Sequence, residues 1–356
     1  MLVGGRYKTS DEVSRGGMSE VHFGQDEHLD RPVVLKCLQP SQEQRRIVDE
    51  QKALRQVISK HVVRLLDVVT HEVSGKAQTF LVIEHIDGDD LKENQFNYGK
   101  TYLTTIWQIA SGLEDIHAAG VIHRDIKPGN ARVDSEGVVK LFDFGLARQD
   151  GLDGKTVGIV GTLAYMAPEL FASGTVCFST SADVYAFGVS ALTLLNKQQP
   201  NWCSQRPPRL APNNAVGLHA PELPETIKDV LQACLSENPL LRPQMRDVKK
   251  AIEDTILFDQ HSAQLILGPH IIDINKDNRN SSPSVTKGSA KDIISGLKIS
   301  YDGFDFLVTK NIGGVSVNNT IVAEGFVLTP SCVIEFPSSG RSHYATFNVS
   351  QPEVFV

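Results

Sequence analysis

The sequence contains no apolar run near the ~18–20 residues that a membrane-spanning helix needs, which excludes an evident hydrophobic span. Its opening stretch, MLVGGRYKTS, has neither the charged start nor the apolar core of a secretory leader, so a cytoplasmic location is the expectation. Basic residues are not in excess: 35 Lys and Arg against 42 Asp and Glu leave a formal net charge of −7. That balance argues against a broad nucleic-acid-binding face. Cysteine is sparse and odd in number, with five residues at positions 37, 177, 203, 234 and 332 and no two at metal-ligand spacing. Free buried thiols are expected, not a disulfide framework. The triplets headed by Asn280, Asn318 and Asn348 match a glycosylation pattern but carry no weight without a leader. Internal repeats are absent as well. What remains is an ordinary composition, 41% hydrophobic and 22% charged over 356 residues, enough for roughly two domains with normal cores.

Hydrophobic patterning divides the chain. RPVVLKCL and QTFLVIEHI read as strands, and between them QEQRRIVDEQKALRQVI reads as an amphipathic helix with Ile47, Leu54 and Ile58 on one face. Beyond residue 88 the pattern turns helical: Leu103, Ile106, Ile109, Leu113 and Ile116 recur at three- and four-residue steps, and Gly120 suits the helix end. STSADVYAFGVSALTLLN, PETIKDVLQACLSE and MRDVKKAIEDTILF predict three further helices. Residues 266–292 are expected to be a linker, because NKDNRNSSPSVTKGSAKD is polar and rich in Ser, Asn and Lys. From residue 293 the runs LKISY, FDFLVTK, GFVLT, CVIEF and HYATFNV predict a small all-β domain.

Within the first 245 residues stand, in order, Ser14-Arg15-Gly16-Gly17-Met18-Ser19-Glu20-Val21, Val33-Val34-Leu35-Lys36, the run LVIEHIDG at 81–88, HRDIKPGN at 123–130, Asp143-Phe144-Gly145, Ala167-Pro168-Glu169, ADVYAFG at 182–188 and LLRP at 240–243. Singly these have plain explanations: a Gly-Gly hairpin turn, a lysine solvating a strand edge, a buried strand ending in a turn. As an ordered set they resemble the protein kinases, most closely the bacterial eukaryotic-like Ser/Thr kinases. The resemblance covers roughly residues 5–260.

The resemblance implies an α+β, bilobal protein-kinase-like fold within residues 1–265. A small β-rich N-lobe would span about 1–85 and a larger helical C-lobe about 88–265, with the all-β domain at 293–356. It implies ATP and Mg²⁺ as cofactors and a protein Ser/Thr substrate. Ser14, Gly16 and Gly17 would cover the phosphates, since small residues let backbone N–H groups approach oxygen closely. Val21, Val34, Ile83, Glu84 and Ile86 would line the nucleotide pocket. Lys36 would hold the α- and β-phosphates and needs a helix carboxylate. Glu43, Asp49 and Glu50 compete for that place, and Glu50 is chosen because Leu54 one turn later matches the apolar position behind the site. Asp125 would orient the attacking hydroxyl, Lys127 would meet the transferring phosphate, and Asn130 and Asp143 would ligate Mg²⁺. Asp183 and the Glu169–Arg242 pair would brace the catalytic loop and activation segment.

Three departures stand out. Ser14 and Ser19 replace two of the family's glycines, and Arg132 stands where an apolar residue usually lies beneath the base; its methylenes would fill that space while its head reaches solvent. Arg124 before the catalytic aspartate implies control by a phosphorylated activation segment, with Thr156 the candidate site and Thr162 the residue contacting Asp125 and Lys127. An ordinary loop threonine is the plain alternative for Thr156. The rival to an active kinase is a pseudokinase serving as a binding or scaffolding module. A partner for the β domain and a transient homodimer complete the expectations.

Overall fold

The computed structural model describes residues 1–15, 19–38, 44–144, 148–149, 155–156, 162–171, 176–195, 197, 200–205, 210–287 and 292–354. The chain folds as two units, Met1–Glu253 and Asp254–Phe355.

The first unit opens with β1 (Leu2–Val3), β2 (Tyr7–Arg15), β3 (Ser19–Asp26), β4 (Arg31–Leu38), β5 (Leu65–Val73) and β6 (Lys76–Glu84). They form an antiparallel sheet in the order β1-β2-β3-β4-β6-β5. The two-residue period of β4 decides its faces: Val33, Leu35 and Cys37 are buried in a core with Tyr7, Phe80 and Val82, while Val34 and Lys36 face the opposite way. Helix α1 (Gln44–Gln56) buries Glu50, Ala53 and Leu54. It stops before Ile58, which is 88% exposed, and Val57 is buried in its place. The expected helical face through Ile58 is therefore not formed.

The strand β7 (Gly88–Asp90) pairs with β9 (Ala131–Asp134), which pairs in turn with β10 (Val139–Leu141). Between them in sequence lie α2 (Lys100–Ala118) and β8 (Val121–Ile122). The apolar steps of α2 are buried as the pattern predicts, and Gly120 closes it at φ +70°, where its N–H bonds the His117 carbonyl at 3.0 Å. Two short antiparallel pairs follow, β11 (Arg148–Gln149) on β8 and β12 (Lys155–Thr156) on β13 (Val176–Cys177). Helix α3 (Thr180–Leu194) is apolar on every side and buried along nearly its whole length. The short α4 (Asn201–Ser204) and α5 (Ala215–His219) precede α6 (Glu225–Cys234) and α7 (Met245–Leu257). No helix among the described residues is long and apolar enough to cross a membrane.

After the end of α7, the second unit is all β among the described residues. Strands β14 (Ser262–Leu267), β15 (His270–Ile274), β16 (Asn280–Ser281), β17 (Ser284–Lys287), β18 (Asp292–Tyr301), β19 (Phe306–Ile312), β20 (Ser316–Val317), β21 (Thr320–Ile321), β22 (Ser331–Phe336) and β23 (His343–Ser350) make two sheets. One runs β15-β14-β23-β22-β20-β21, and in the other β18 pairs β16, β17 and β19. Both contribute to one core that includes Leu265, Ile274, Leu297, Ile299, Phe306, Val308, Ile334 and Phe347. The linker expected at 266–292 is thus corrected: it carries β15, β16 and β17. Its polar residues serve turns and the exposed face, as where the Asn275 side chain accepts from the N–H groups of Asp277 and Asn278. GFVLT is corrected too, forming only an isolated bridge between Leu307 and Val327.

Candidate active site

The face of β4 that carries Val34 and Lys36 opens on a cleft of about 320 Å³. Its lining includes Val21, Val34, Lys36, Glu50, Leu54, Ile83, Glu84, Ile86 and Asp143. Eight of these nine were expected from the sequence as pocket or catalytic residues, and Leu54 as the apolar residue behind them. Ser14 pairs with Val21 across the β2–β3 hairpin. Gly16 and Gly17 lie outside the described residues, as do Gly145, Gly161 and Glu43.

At the inner wall Lys36 Nζ donates to Glu50 Oε1 and to Asp143 Oδ1, both at 2.7 Å. Lys36 and Glu50 are only 7% and 2% exposed. Among the three helix carboxylates considered, α1 brings Glu50 to the lysine. Burial pulls the lysine down, but the two carboxylates outweigh it and hold the Lys36 ammonium well above its ordinary range. Burial pushes the Glu50 carboxyl up despite Lys36, and its Oε2 has no hydrogen-bond partner among the described residues. Phe144 is fully buried, with the His123 ring 4.7 Å away, so the chain turns at Asp143 around a fixed aromatic anchor.

The segment between β8 and β9 forms a second, interlocked group. Asp125 Oδ2 accepts from Lys127 Nζ at 2.8 Å and from Asn130 Nδ2 at 2.9 Å. Asp125 Oδ1 accepts from Thr162 Oγ1 at 2.8 Å and from the Thr162 N–H at 2.9 Å. Lys127 also donates to Thr162 Oγ1 at 2.7 Å. Burial pushes the Asp125 carboxyl up, but the bonds from Lys127, Thr162 and Asn130 outweigh it and hold the group below the usual carboxylate range. Asn130 Nδ2 bonds the Asp125 carbonyl as well, at 2.7 Å, so the amide nitrogen is committed to Asp125. The amide oxygen is thereby turned away from that carboxylate. That neutral oxygen and the half-exposed carboxylate of Asp143 are each hard donors of the kind that suits Mg²⁺.

Asp183, 1% exposed on α3, accepts from the N–H groups of His123 and Arg124 at 2.8 and 2.9 Å and from His117 Nε2 at 2.9 Å. These bonds hold Arg124 at φ +71°, a conformation that its side chain alone disfavours. The Arg124 guanidinium lies 4.4 Å from the centre of the Phe178 ring. Arg242 grips Glu169 through two 2.7 Å bonds and also reaches the Ser181 and Ser236 carbonyls. The Thr156 backbone lies in β12, opposite Val176.

Arg132 has a partner that the sequence did not reveal. Its side chain keeps 26% exposure and donates from Nε to Asp90 Oδ1 at 2.6 Å, because the β7–β9 register sets the two residues directly opposite. Gly88 permits that register, since a Cβ there would meet the Val133 carbonyl oxygen at 1.8 Å. Sequence reading missed Asp90, along with Phe23, Val63 and Phe142 in the cleft and His117 beside Asp183.

Comparison with known proteins agrees with this geometry. The model of the protein kinase domain matches residues 7–252. The chain is 33% identical over 211 residues to a serine/threonine-protein kinase, drp72, of Corynebacterium efficiens, a match covering 56% of this chain and 40% of that protein. It is 34% identical over 210 residues to serine/threonine-protein kinase PknL of Mycobacterium tuberculosis, covering 56% and 51%. It is 31% identical over 213 residues to the probable serine/threonine-protein kinase pknA2 of Bifidobacterium longum, covering 56% and 27%. The matched region thus spans about a quarter to a half of those relatives.

Proposed function

The chain belongs to the protein kinase domain family, and on that premise we propose that it transfers the γ-phosphate of ATP to Ser or Thr hydroxyls of a protein. The observation that carries this reading is the pairing of two adjoining groups. Lys36 is clamped between Glu50 and Asp143 in the cleft, and Asp125 is interlocked with Lys127, Asn130 and Thr162.

In this reading Lys36, fixed by Glu50, binds the α- and β-phosphates as a permanently charged donor. Val21, Val34, Ile83 and Ile86 enclose the base, and the backbone at Glu84 and Ile86 bonds its edge. Asp125, kept ionised by its donors, accepts the hydrogen bond of the incoming hydroxyl and aims its oxygen at the phosphorus. Lys127 lies against the charge that builds on the transferring group. Asn130 and Asp143 would hold Mg²⁺, which would supply neutralisation of the phosphate charge. Thr162 keeps Asp125 and Lys127 in register. Ser14, with Gly16 and Gly17, covers the phosphates.

The same reading assigns Thr156 as an autophosphorylation site whose phosphate meets Arg124, and divides the first unit into two lobes about the cleft. Protein substrates, a partner for the β unit, a transient homodimer during activation and a cytoplasmic site of action belong to this proposal. A binding module without turnover is the rival; Ser14, Ser19 and Arg132 favour it, and the complete set Lys36, Asp125, Asn130 and Asp143 weighs against it. Phosphate transfer from labelled ATP, compared between the wild type and Asp125→Asn, separates the two.

A further inference from the structure

The floor of the cleft carries charge where an apolar surface was expected. Arg132, on β9, faces Asp90 on β7 and Lys140 on β10 in one cross-strand row. Arg132 Nε donates to Asp90 Oδ1 at 2.6 Å, and Nη1 reaches the Ile86 carbonyl at 3.4 Å. The guanidinium carbon lies 5.6 Å from the centre of the Phe142 ring. Lys140 Nζ donates to Glu84 Oε1 at 2.7 Å, so each cation of the row has its own carboxylate. Arg132, Asp90, Ile86 and Phe142 all line the cleft.

A guanidinium is flat, always charged and weakly hydrated, and it stacks on π faces in a way that an ammonium cannot. Here it is held by a strand-borne carboxylate, a backbone carbonyl and an aromatic ring, so little side-chain freedom is left to lose when a ligand arrives. We propose that Arg132 forms a cationic platform beneath the nucleobase, and that Asp90 is the positioning residue that holds the guanidinium in place. The ligand class is a nucleoside triphosphate, recognised at this point through the π face of its base. This inference rests on the nucleotide-binding reading above. It makes Arg132 an aid to nucleotide binding, whereas an arginine in a normally apolar position suggests damage.

The test is calorimetric titration of the full chain with Mg-ATP and, separately, with Mg-tripolyphosphate, which has phosphates but no base. Wild type, Arg132→Met, Arg132→Lys, Asp90→Asn and the Arg132→Met/Asp90→Asn double variant are compared. Arg132→Met is expected to weaken ATP about 3- to 30-fold, the range of a cation–π contact from exposed to desolvated, and to leave tripolyphosphate affinity unchanged. Arg132→Lys, which keeps charge but loses the plane, should weaken ATP in the same way. Asp90→Asn should weaken ATP in the wild-type background and have no effect once Arg132 is Met. A circular-dichroism spectrum matching the wild type certifies that a variant is folded; should Arg132→Met lose its fold, the Lys and Asn variants decide. ATP binding as tight in Arg132→Met and Arg132→Lys as in the wild type overturns the platform. So does a parallel loss of ATP and tripolyphosphate by a folded variant, which is the mark of bulk charge. A wild type that binds neither ligand overturns the kinase reading itself.

Discussion

Lys36 and Glu50 meet at 2.7 Å in a setting almost closed to water, and Asp143 takes a second bond from the same ammonium. One cation therefore serves two carboxylates, and the three positions are unequal in what their loss does. Lys36→Met leaves Glu50 buried without a counter-charge, a change that costs about 3–5 kcal/mol in buried pairs. Glu50→Gln leaves Lys36 with Asp143 and is expected to cost less. The lysine variant also acquires a distinctive pH dependence. Burial already raises Glu50, and loss of Lys36 raises it further. A carboxyl raised on folding favours the fold below its unfolded value and loses that advantage as pH rises through the folded one. The Lys36→Met defect should therefore grow with pH above the unfolded glutamate range, as read by urea midpoints; a defect that shrinks with rising pH would contradict the assignment.

Thr162 donates to Asp125 and accepts from Lys127 through one hydroxyl. Thr162→Val keeps the backbone bond to Asp125 and removes both side-chain contacts. Hydrogen bonds to charged groups are worth about 1.5–3 kcal/mol, which corresponds to a fall in kcat of roughly 10- to 100-fold. Steady-state kinetics should show that fall with KM for ATP unchanged, because Thr162 is not among the residues lining the nucleotide cleft. A rise in KM for ATP with normal kcat would place Thr162 in the nucleotide pocket instead.

His61, His123 and His219 are each held below the ordinary histidine range, chiefly by burial. Such groups stay neutral in the folded protein at a pH where the unfolded chain binds a proton. Stability of the first unit is therefore expected to fall as pH drops below about 6.5, the unfolded histidine value. Asp125 and Asp183 are held down by their partners, so the stability they add is present above the unfolded aspartate range and is lost only as pH falls below it. Both tryptophans, Trp107 and Trp202, lie in the first unit, so their fluorescence reports its unfolding. A denaturant midpoint at pH 5.5 equal to or above that at pH 7.5 would refute this.

Local signals made most of the catalytic constellation legible. HRDIKPGN is a short run whose side chains reach one another within the segment, as the Asp125–Lys127 and Asp125–Asn130 bonds do. Lys36 was legible through the resemblance, and the two-residue alternation of β4 gives the face it takes. The Arg132–Asp90 pair was not, because it depends on the register of a three-residue strand 42 positions away, which no local pattern encodes. The same reason hid β15 to β17: strands of two to five residues in a polar stretch show too little alternation to be told from a linker. Ile58 misled because periodicity continues past the residue at which α1 stops.

The most direct measurement is incorporation of phosphate from labelled ATP by the purified chain with Mg²⁺, wild type beside Asp125→Asn, followed by mapping of the labelled residues. A protein kinase of the kind proposed here labels Ser or Thr, Thr156 among them, in the wild type and not in the variant. Equal labelling of the two proteins, or none on the chain itself and on a generic basic protein, would contradict the assignment of Asp125 and leave the fold as a binding module.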